Sequence, residues 1–351
     1  MRRLVPLIAL LATAALPPAV APANTVPVPP PPPPPAPAPA PGPAPITIHT
    51  TLENPGGLPV DTVIAGGQVR VVGTVTPYIA GQTVFVRTFR YGARLDTRNV
   101  PVRNGGHGVG RFTAVLGVGG RPAPIIVRVA HPATSFQAGS QAPVRRLLAV
   151  RAGVVPGQQG AAVRLLQQEL AGLHYAVPRS GRYDDGTARA VIAFRKLTDL
   201  ARTPDASRIV FDRLAIGAGS FHVRYPGQGS HFEGDLTHQV LAEVLPGGRV
   251  RQIFEMSSGK PSTPTVIGNF NVYLKTAGIN EKGMVDANYF IRGYAIHGYA
   301  DVPPYPASHG CLRIPVPDAA GVFAWARYGY PVDVYYRSGG GSHQIRGNAG
   351  P

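Results

Sequence analysis

The chain has 351 residues, a length that predicts two or three domains. Charged residues make up only 15% of it and hydrophobic residues 44%, which excludes a chain that is disordered throughout. Lys and Arg outnumber Asp and Glu by 34 to 18, for a net charge of +16, which favours an anionic partner.

The N-terminus has the pattern of an export signal. Arg2 and Arg3 supply positive charge, residues 4–15 form an apolar segment too short to span a bilayer, and residues 21–23 are Ala-Pro-Ala, an A-x-A cleavage site. We therefore predict that residues 1–23 are a signal peptide and that the protein is secreted, extracytoplasmic and associated with the cell wall. An uncleaved N-terminal anchor is the alternative. Export excludes nucleic acid as the partner of this basic chain and leaves acidic cell-wall polymers.

Low-complexity segments follow the signal and end the chain. Residues 24–45 are predicted to be a Pro-rich linker, because Pro and Ala fill almost all of its later part. A polyproline II segment extends by ~3.1 Å per residue, so this linker could hold the following domains roughly 60 Å from its start. Residues 338–351 are rich in Gly and Ser and are predicted to be a disordered tail.

Residues 46–147 have the pattern of an all-β domain. Short runs rich in Val, Thr and Phe alternate with Gly-rich punctuation, which predicts an immunoglobulin-like sandwich. This part contains no cluster of catalytic residue types. The predicted strands cover residues 68–75, 83–89, 99–102, 110–116 and 125–130.

Residues 154–210 change to helical spacing. Val163, Leu166 and Leu170 predict a first helix, and residues 188–197 predict a second. The runs Gly-x-x-Val-x-x-Leu-Gln-x-x-Leu and Gly-x-Tyr-Asp-x-x-Thr-x-x-Ala-Val-x-x-Phe resemble the helical peptidoglycan-binding domain, although Arg195 replaces the usual Gln. The resemblance implies a small α-helical domain that binds the wall. A helical linker domain is the alternative.

Residues 213–337 are predicted to be a mixed, mainly-β domain with one helix. Two strands at 240–244 and 249–257 are joined by Pro-Gly-Gly, which is a hairpin signal. The remaining predicted elements are a strand at 271–275, a strand at 289–296 leading to His297, a helix at 318–328 and a final strand at 330–336.

The only cysteine of the chain, Cys311, lies in this domain. A thiol becomes a strong nucleophile as a thiolate, so it needs a base such as imidazole. His297-Gly298 precedes Ser308-His309-Gly310-Cys311-Leu312-Arg313, and these two linked blocks resemble the signature of the L,D-transpeptidases with a YkuD-type catalytic domain. The spacer between the blocks is on the short side for that family.

The resemblance implies a role for each catalytic residue. Cys311 is the predicted nucleophile and His297 its general base, oriented by the carbonyl of Gly298. Gly310, with its neighbours His309 and Cys311, would supply backbone N–H groups to an oxyanion hole.

The resemblance also implies substrates and a reaction. Ser308 and His309 would shape the loop and contact substrate, and the Arg313 guanidinium could bind a carboxylate of a stem peptide. Cys311 would attack the third residue of a peptidoglycan stem, release D-alanine and pass the acyl group to a second stem, which gives a 3→3 cross-link. The expected partners are peptidoglycan stem peptides and glycan, with carbapenems as possible inhibitors. No cofactor or metal is expected.

Three alternatives stay open to different degrees. An L,D-carboxypeptidase would use the same thioester with water as acceptor, and the sequence does not separate it from a transpeptidase. A non-catalytic cell-wall-binding protein is disfavoured by the intact Cys, His and Gly set. A metal peptidase has only the scattered His222, His231 and His238, without a metal-binding motif. The oligomeric state is left open.

Overall fold

The computed structural model describes residues 43–337. The predicted signal peptide, the predicted tail and all but the last three residues of the predicted linker lie outside this range. Within it, no helix combines the length and the apolar composition needed to cross a bilayer. The described chain forms a strand-rich part, then three helices, and then a second strand-rich part with one further helix.

The first strand-rich part consists of two sheets. One sheet has the order β1-β3-β7-β6, and the other has the order β2-β10-β8-β4-β5 with β9 added to β8. Neighbouring strands are antiparallel except β2 and β10, which are parallel. The strands are β1 (Thr47–Glu53), β2 (Thr62–Ile64), β3 (Gln68–Thr76), β4 (Thr83–Arg90), β5 (Ala93–Pro101), β6 (Arg103–Asn104), β7 (Gly110–Gly117), β8 (Ala123–His131), β9 (Ser140–Gln141) and β10 (Arg145–Val150).

Buried and exposed side chains alternate along the strands, and the buried ones form the core between these sheets. β3 buries Val69, Val71 and Val75 from one sheet, and β8 buries Ile125 and Val127 from the other. All five belong to one apolar cluster, because side chains two positions apart leave a strand on the same face. The predicted strands correspond to β3, β4, β5, β7 and β8, and the prediction at 99–102 covers only the end of β5. An immunoglobulin-like connection of these strands stays a prediction.

Three helices follow: α1 (Ala161–Gly172), α2 (Asp185–Leu197) and α3 (Arg208–Ala215). Asp184 caps α2 by accepting a hydrogen bond from the Thr187 backbone N–H, at 2.9 Å. The spacing of apolar residues predicts α1 and α2. It does not predict α3, because eight residues hold too few turns for a periodic pattern to be recognised.

The helices share a core with the second strand-rich part. Leu166 and Phe194 from α1 and α2 belong to the same apolar cluster as Val240, Ala242 and Ile253. These three lie on two strands, β12 (Val240–Leu245) and β13 (Arg249–Glu255), which form the hairpin that Pro-Gly-Gly predicts. The helices therefore cover one face of the sheet on which the second part is built.

The second part contains two sheets around another apolar cluster. One sheet has the order β13-β12-β11-β19-β14 and the other has the order β15-β16-β17-β18. One helix, α4 (Val316–Trp325), follows β18. The additional strands are β11 (His231–Asp235), β14 (Gly268–Asn271), β15 (Leu274–Ile279), β16 (Val285–Ile291), β17 (Tyr294–Tyr299), β18 (Leu312–Pro315) and β19 (Pro331–Tyr335).

Two predicted strands are wrong in the same way. The strand predicted at 289–296 is a hairpin: β16 ends at Ile291, Arg292 turns with φ +47°, and β17 begins at Tyr294. The strand predicted at 271–275 is divided between β14 and β15, which belong to different sheets. The first break is the turn at Arg292 and Gly293, whereas in the second the chain passes from one sheet to the other within the apolar pair Val272-Tyr273. The short strands β11 and β18 are absent from the prediction.

Candidate active site

Two neighbouring parallel strands, β17 and β18, position the predicted catalytic residues. The pairing sets Ile296 opposite Leu312 and His297 opposite Arg313. Cys311 directly precedes β18, so it lies beside the strand that carries His297. The strand pairing thus brings together two motif blocks that are separated by a nine-residue spacer.

Both residues open into one cavity of about 400 Å³. Five of the seven predicted site residues line it, whereas Gly298 and Gly310 do not. The cavity wall carries the cationic side chains of Lys282 and Arg313, and no carboxylate. The complete wall is formed by Lys282, Met284, Gly293, His297, Tyr299, Ser308, His309, Cys311 and Arg313.

His297 is buried, with 2% of its surface exposed. Its Nδ1 lies 2.8 Å from the carbonyl oxygen of Gly298. A carbonyl only accepts, so Nδ1 carries the proton and Nε2 has a free lone pair. Burial, with a smaller contribution from the nearby charge of Arg313, lowers the pKa of His297 to about 4, against the opposing effect of the Gly298 hydrogen bond. The imidazole is therefore neutral and able to accept a proton at neutral pH.

Cys311 is half-buried, and its thiol donates to the carbonyl of Gly293 across 3.7 Å. Burial raises the pKa of the Cys311 thiol, and the backbone of Ala295 and the charges of Arg313 and Lys282 only partly offset this increase. Among the hydrogen bonds of residues 43–337, none joins this thiol to His297. The resting site therefore holds a neutral thiol and a neutral imidazole.

Ser308 holds the backbone around the cysteine. Its hydroxyl donates to the carbonyl of Cys311 at 2.7 Å and accepts from the Gly310 N–H at 3.0 Å. Ser308 is fully buried, so its main contacts are with the loop itself. His309, in contrast, is exposed, with Nε2 3.5 Å from Lys260 Nζ.

The two predicted catalytic glycines have steric roles. Gly310 adopts φ +116°, and a Cβ there would overlap the Tyr294 ring. At Gly298, a Cβ would lie 2.6 Å from Ala319 Cβ, so this glycine lets α4 approach β17. The Gly310 N–H is already bound to Ser308. In residues 43–337, the N–H groups of His309 and Cys311 have no acceptor, which makes these two the better candidates for an oxyanion hole.

Sequence reasoning missed Tyr299. The Arg313 guanidinium stacks 4.0 Å from the centre of its ring, and the ring meets His297 edge-on at 5.7 Å. Because Tyr299 is two positions after His297, the alternation of strand side chains places both on one face of β17. That spacing is the signal that could have found it. Lys282 and Met284, in contrast, reach the cavity from the end of a distant hairpin, which no local pattern indicates.

The three histidines considered for a metal site lie elsewhere. His231 Nε2 is 3.2 Å from Glu233, and His238 Nδ1 is 2.8 Å from Asp235, so each ring is held by its own strand or turn. His222 lines a separate cavity with Arg224 and Arg337. In the described residues, no three metal-ligating side chains converge.

Two family models match the chain. Residues 230–334 match the L,D-transpeptidase catalytic domain (YkuD), and this range includes the cavity with His297 and Cys311. Residues 159–206, with α1 and α2, match the putative peptidoglycan binding domain. The chain belongs to the L,D-transpeptidase family. Its peptidoglycan-binding domain precedes the catalytic domain, as the two resemblances predict.

Solved structures of other L,D-transpeptidases are similar to this chain. The enzyme from Xylanimonas cellulosilytica is 32% identical over 53% of this chain and 98% of its own, with a TM-score of 0.49. The enzyme from Stackebrandtia nassauensis is 21% identical over 53% and 97%, with a TM-score of 0.35. One from Mycobacterium tuberculosis is 9% identical over 79% and 94%, with a TM-score of 0.29. No curated protein matches the chain.

Proposed function

We propose that this protein is a peptidoglycan L,D-transpeptidase that forms 3→3 cross-links through a thioester on Cys311, with His297 as the general base. The observation that carries the proposal is that the Cys311 thiol and the His297 ring open into one cavity inside the matched catalytic domain. The free lone pair on His297 Nε2 supports the assignment of the base, because Gly298 fixes the tautomer.

In the acylation half-reaction, the thiol turns from Gly293 toward His297 and transfers its proton to Nε2. The Cys311 sulfur attacks the carbonyl carbon of the third stem residue and forms the C–S bond. The peptide C–N bond breaks, and the departing D-alanine amine takes the proton from His297. The N–H groups of His309 and Cys311 stabilise the oxyanion, and the loss of one such donor typically costs about 3 kcal/mol in the barrier.

In the second half-reaction, the side-chain amine of another stem attacks the thioester carbonyl. His297 accepts a proton from this amine and returns it to the sulfur as the C–S bond breaks. A new amide joins the two stems, and Cys311 is again a thiol. The donor peptide bond supplies the acyl group, so both half-reactions proceed with the chain's own residues as proton carriers.

The charge of the cavity fits an anionic peptide substrate. Lys282 and Arg313 line it, and Arg313 is already oriented by its stacking on Tyr299. A stem peptide carries free carboxylates that a guanidinium can bind with two hydrogen bonds. We further propose that the protein is secreted to the cell wall, with residues 24–45 as a spacer. The domain at 159–206 would then hold the catalytic domain against peptidoglycan.

A carboxypeptidase is the second candidate, because water could resolve the same thioester. Incubation of the mature chain with a tetrapeptide stem, followed by mass spectrometry, separates the possibilities. A linked stem dimer supports transfer, tripeptide alone supports hydrolysis, and unchanged substrate contradicts both enzymatic proposals.

The nucleophile has its own test, because Cys311 is the only thiol in the chain. A carbapenem should add one covalent adduct to the wild type and none to Cys311→Ala. The matched control is Cys311→Ser, which keeps a small polar side chain in the loop; its melting temperature should stay within a few degrees of wild type. An adduct on Cys311→Ala would contradict the nucleophile assignment.

A further inference from the structure

A buried lysine of the helical domain makes all its polar contacts with the catalytic domain. Lys196, on α2, is 2% exposed. Its Nζ donates to the carbonyls of Gln239 and Met256, both at 3.0 Å, and forms an ion pair with Glu255 Oε1 at 3.3 Å. Two protons of the ammonium group are thus hydrogen-bonded to catalytic-domain carbonyls, and its charge is paired with the Glu255 carboxylate.

The hydrogen bonds continue from these acceptors to the nucleophile. The side chain of Gln239 donates to Ser258 Oγ at 2.7 Å and accepts from the Ser258 N–H at 2.8 Å. The carbonyl of Ser258 accepts from the N–H groups of Ala307 and Ser308, both at 2.9 Å. Ser308 then binds the carbonyl of Cys311. All of these hydrogen bonds except the one between the Gln239 side chain and Ser258 Oγ involve a backbone group.

Two arginines connect the same domains at the segment directly before Ser308, residues 301–307. Arg189 on α2 donates to the carbonyl of Val302 and, at 3.0 Å, to Glu255. Arg202 donates to the carbonyl of Pro304 at 2.7 Å. The helical domain therefore contacts the chain that leads into the Ser308–Cys311 segment, and it is connected to the segment itself through Gln239 and Ser258.

Cohesion of the two domains alone does not require these charges. The apolar contacts of Phe194 with the β12–β13 face already join them. A buried ion pair is often no more stabilising than apolar residues of similar size, because both charges lose their hydration. Burial lowers the pKa of Lys196 to about 8 against the opposing charge of Glu255, which shows the cost of holding this ammonium here. Because packing alone would not favour a buried ammonium group, we attribute the presence of Lys196 to the specific geometry that its hydrogen bonds impose.

We propose that Lys196 is a positioning residue, through which the peptidoglycan-binding domain sets the place of the Ser308–Cys311 segment in the active site. The helical domain is then part of the catalytic unit as well as a wall anchor. The consequence for transfer rests on the proposed function, whereas the consequence for the thiol does not.

The test compares three variants of the mature chain. Lys196→Met removes the ammonium and keeps the length of the side chain. Lys196→Met/Glu255→Gln also removes the buried carboxylate charge, which Arg189 alone would otherwise have to neutralise, so this variant should recover part of the lost stability. Arg164→Met removes an exposed cation of α1 and is the control. The measurements are the melting temperature, the rate of Cys311 alkylation by iodoacetamide as a function of pH, and the rate of carbapenem acylation.

In the double variant, we expect the melting temperature to return toward wild type while carbapenem acylation stays about tenfold slower or more, since small displacements of reacting groups have effects of this size. Alkylation should change in the opposite direction. A loosened segment exposes the thiol, so the thiol pKa falls toward its ordinary value and alkylation at pH 8 becomes faster. Arg164→Met should match wild type in all three measurements.

Two results would overturn the proposal. One is wild-type acylation in the double variant; the other is an unchanged pH profile of alkylation. Either would leave Lys196 with a purely structural role. If the wild type itself forms no carbapenem adduct, the proposed function fails, but the alkylation profile still decides whether Lys196 positions Cys311.

Discussion

The substitution Gly310→Ala tests whether the loop geometry next to Cys311 is as tightly restricted as the structure indicates. Gly310 has φ +116°, a conformation that alanine adopts only with strain of about 1–3 kcal/mol. The added Cβ would lie 2.6 Å from Tyr294 Cδ1 and would overlap the neighbouring Cε1. Overpacking of this kind typically costs a further 1–3 kcal/mol. We therefore expect a destabilisation of roughly 2–6 kcal/mol, or an equivalent displacement of the loop.

Chemical denaturation and calorimetry of the chain without its predicted signal peptide measure this loss. Gly321→Ala is the matched control: Gly321 lies in α4, and its Cβ would meet no atom within 4 Å. This control should be neutral or gain up to about 1 kcal/mol, because alanine favours helix. The double variant Gly310→Ala/Tyr294→Ala removes the overlap but not the strain. Introducing Gly310→Ala should therefore lower the free energy of unfolding less in the Tyr294→Ala background than in the wild type.

Wild-type stability of Gly310→Ala together with a wild-type rate of Cys311 acylation would refute this prediction. Such a result would mean that the loop adopts another backbone conformation without loss, and that the overlap with Tyr294 does not restrict it. Stability retained with acylation lost would instead mean that the loop moved, taking the nucleophile with it.

Three further predictions concern protonation and packing. Because burial raises the pKa of Cys311 and lowers that of His297 to about 4, iodoacetamide alkylation of the resting enzyme should increase up to and beyond pH 9. A plateau below pH 7 would indicate a thiolate–imidazolium pair instead. Burial raises the pKa of Glu169 to about 7, above its ordinary value of 4.5, because the folded protein favours the neutral carboxyl group. The fold therefore has its full stability at this site below pH 4.5 and loses it as the pH rises through 7. Glu169→Gln should therefore stabilise by up to about 3 kcal/mol at pH 8 and much less at pH 5; equal gains at both would contradict this. Gly298→Ala should cost about 1–3 kcal/mol through contact with Ala319, and Ala319→Gly should restore most of it, as thermal denaturation would show.

The neutral state of the site has a consequence for its chemistry. A resting thiol bound to Gly293 is protected from oxidants, since the thiolate is the reactive form. If the protein is exported, as we propose, this protection matters for its unpaired cysteine, because the surroundings are then oxidising. Under the proposed mechanism, the thiol is activated when substrate occupies the cavity and the sulfur turns toward His297. This order of events explains why the thiol and the imidazole need no hydrogen bond in the free protein.

The identities of the predicted site residues follow from the sequence, because the family motif specifies residue types at fixed short spacings. Likewise, strands β3, β4, β7 and β8 of the first part and helices α1 and α2 follow from local patterns, whereas β1, β2, β6, β9 and β10 are not predicted by them. Local patterns fail where a reversal interrupts an apolar run, as at Arg292, and where an element is as short as α3 or β18. β18 is fixed by its pairing with β17, and α3 by its packing against α1 and α2, which are contacts that a local window does not contain.

The tertiary structure alone decided how the site is supported. The parallel pairing of β17 with β18 places His297 beside Cys311 and stacks Arg313 on Tyr299. The contact of Lys196 with Gln239 joins residues 43 positions apart, in two domains that the sequence treats as separate. The sequence gives the type of each side chain directly. Burial, which sets the protonation of the thiol and the imidazole, arises only when distant segments come together.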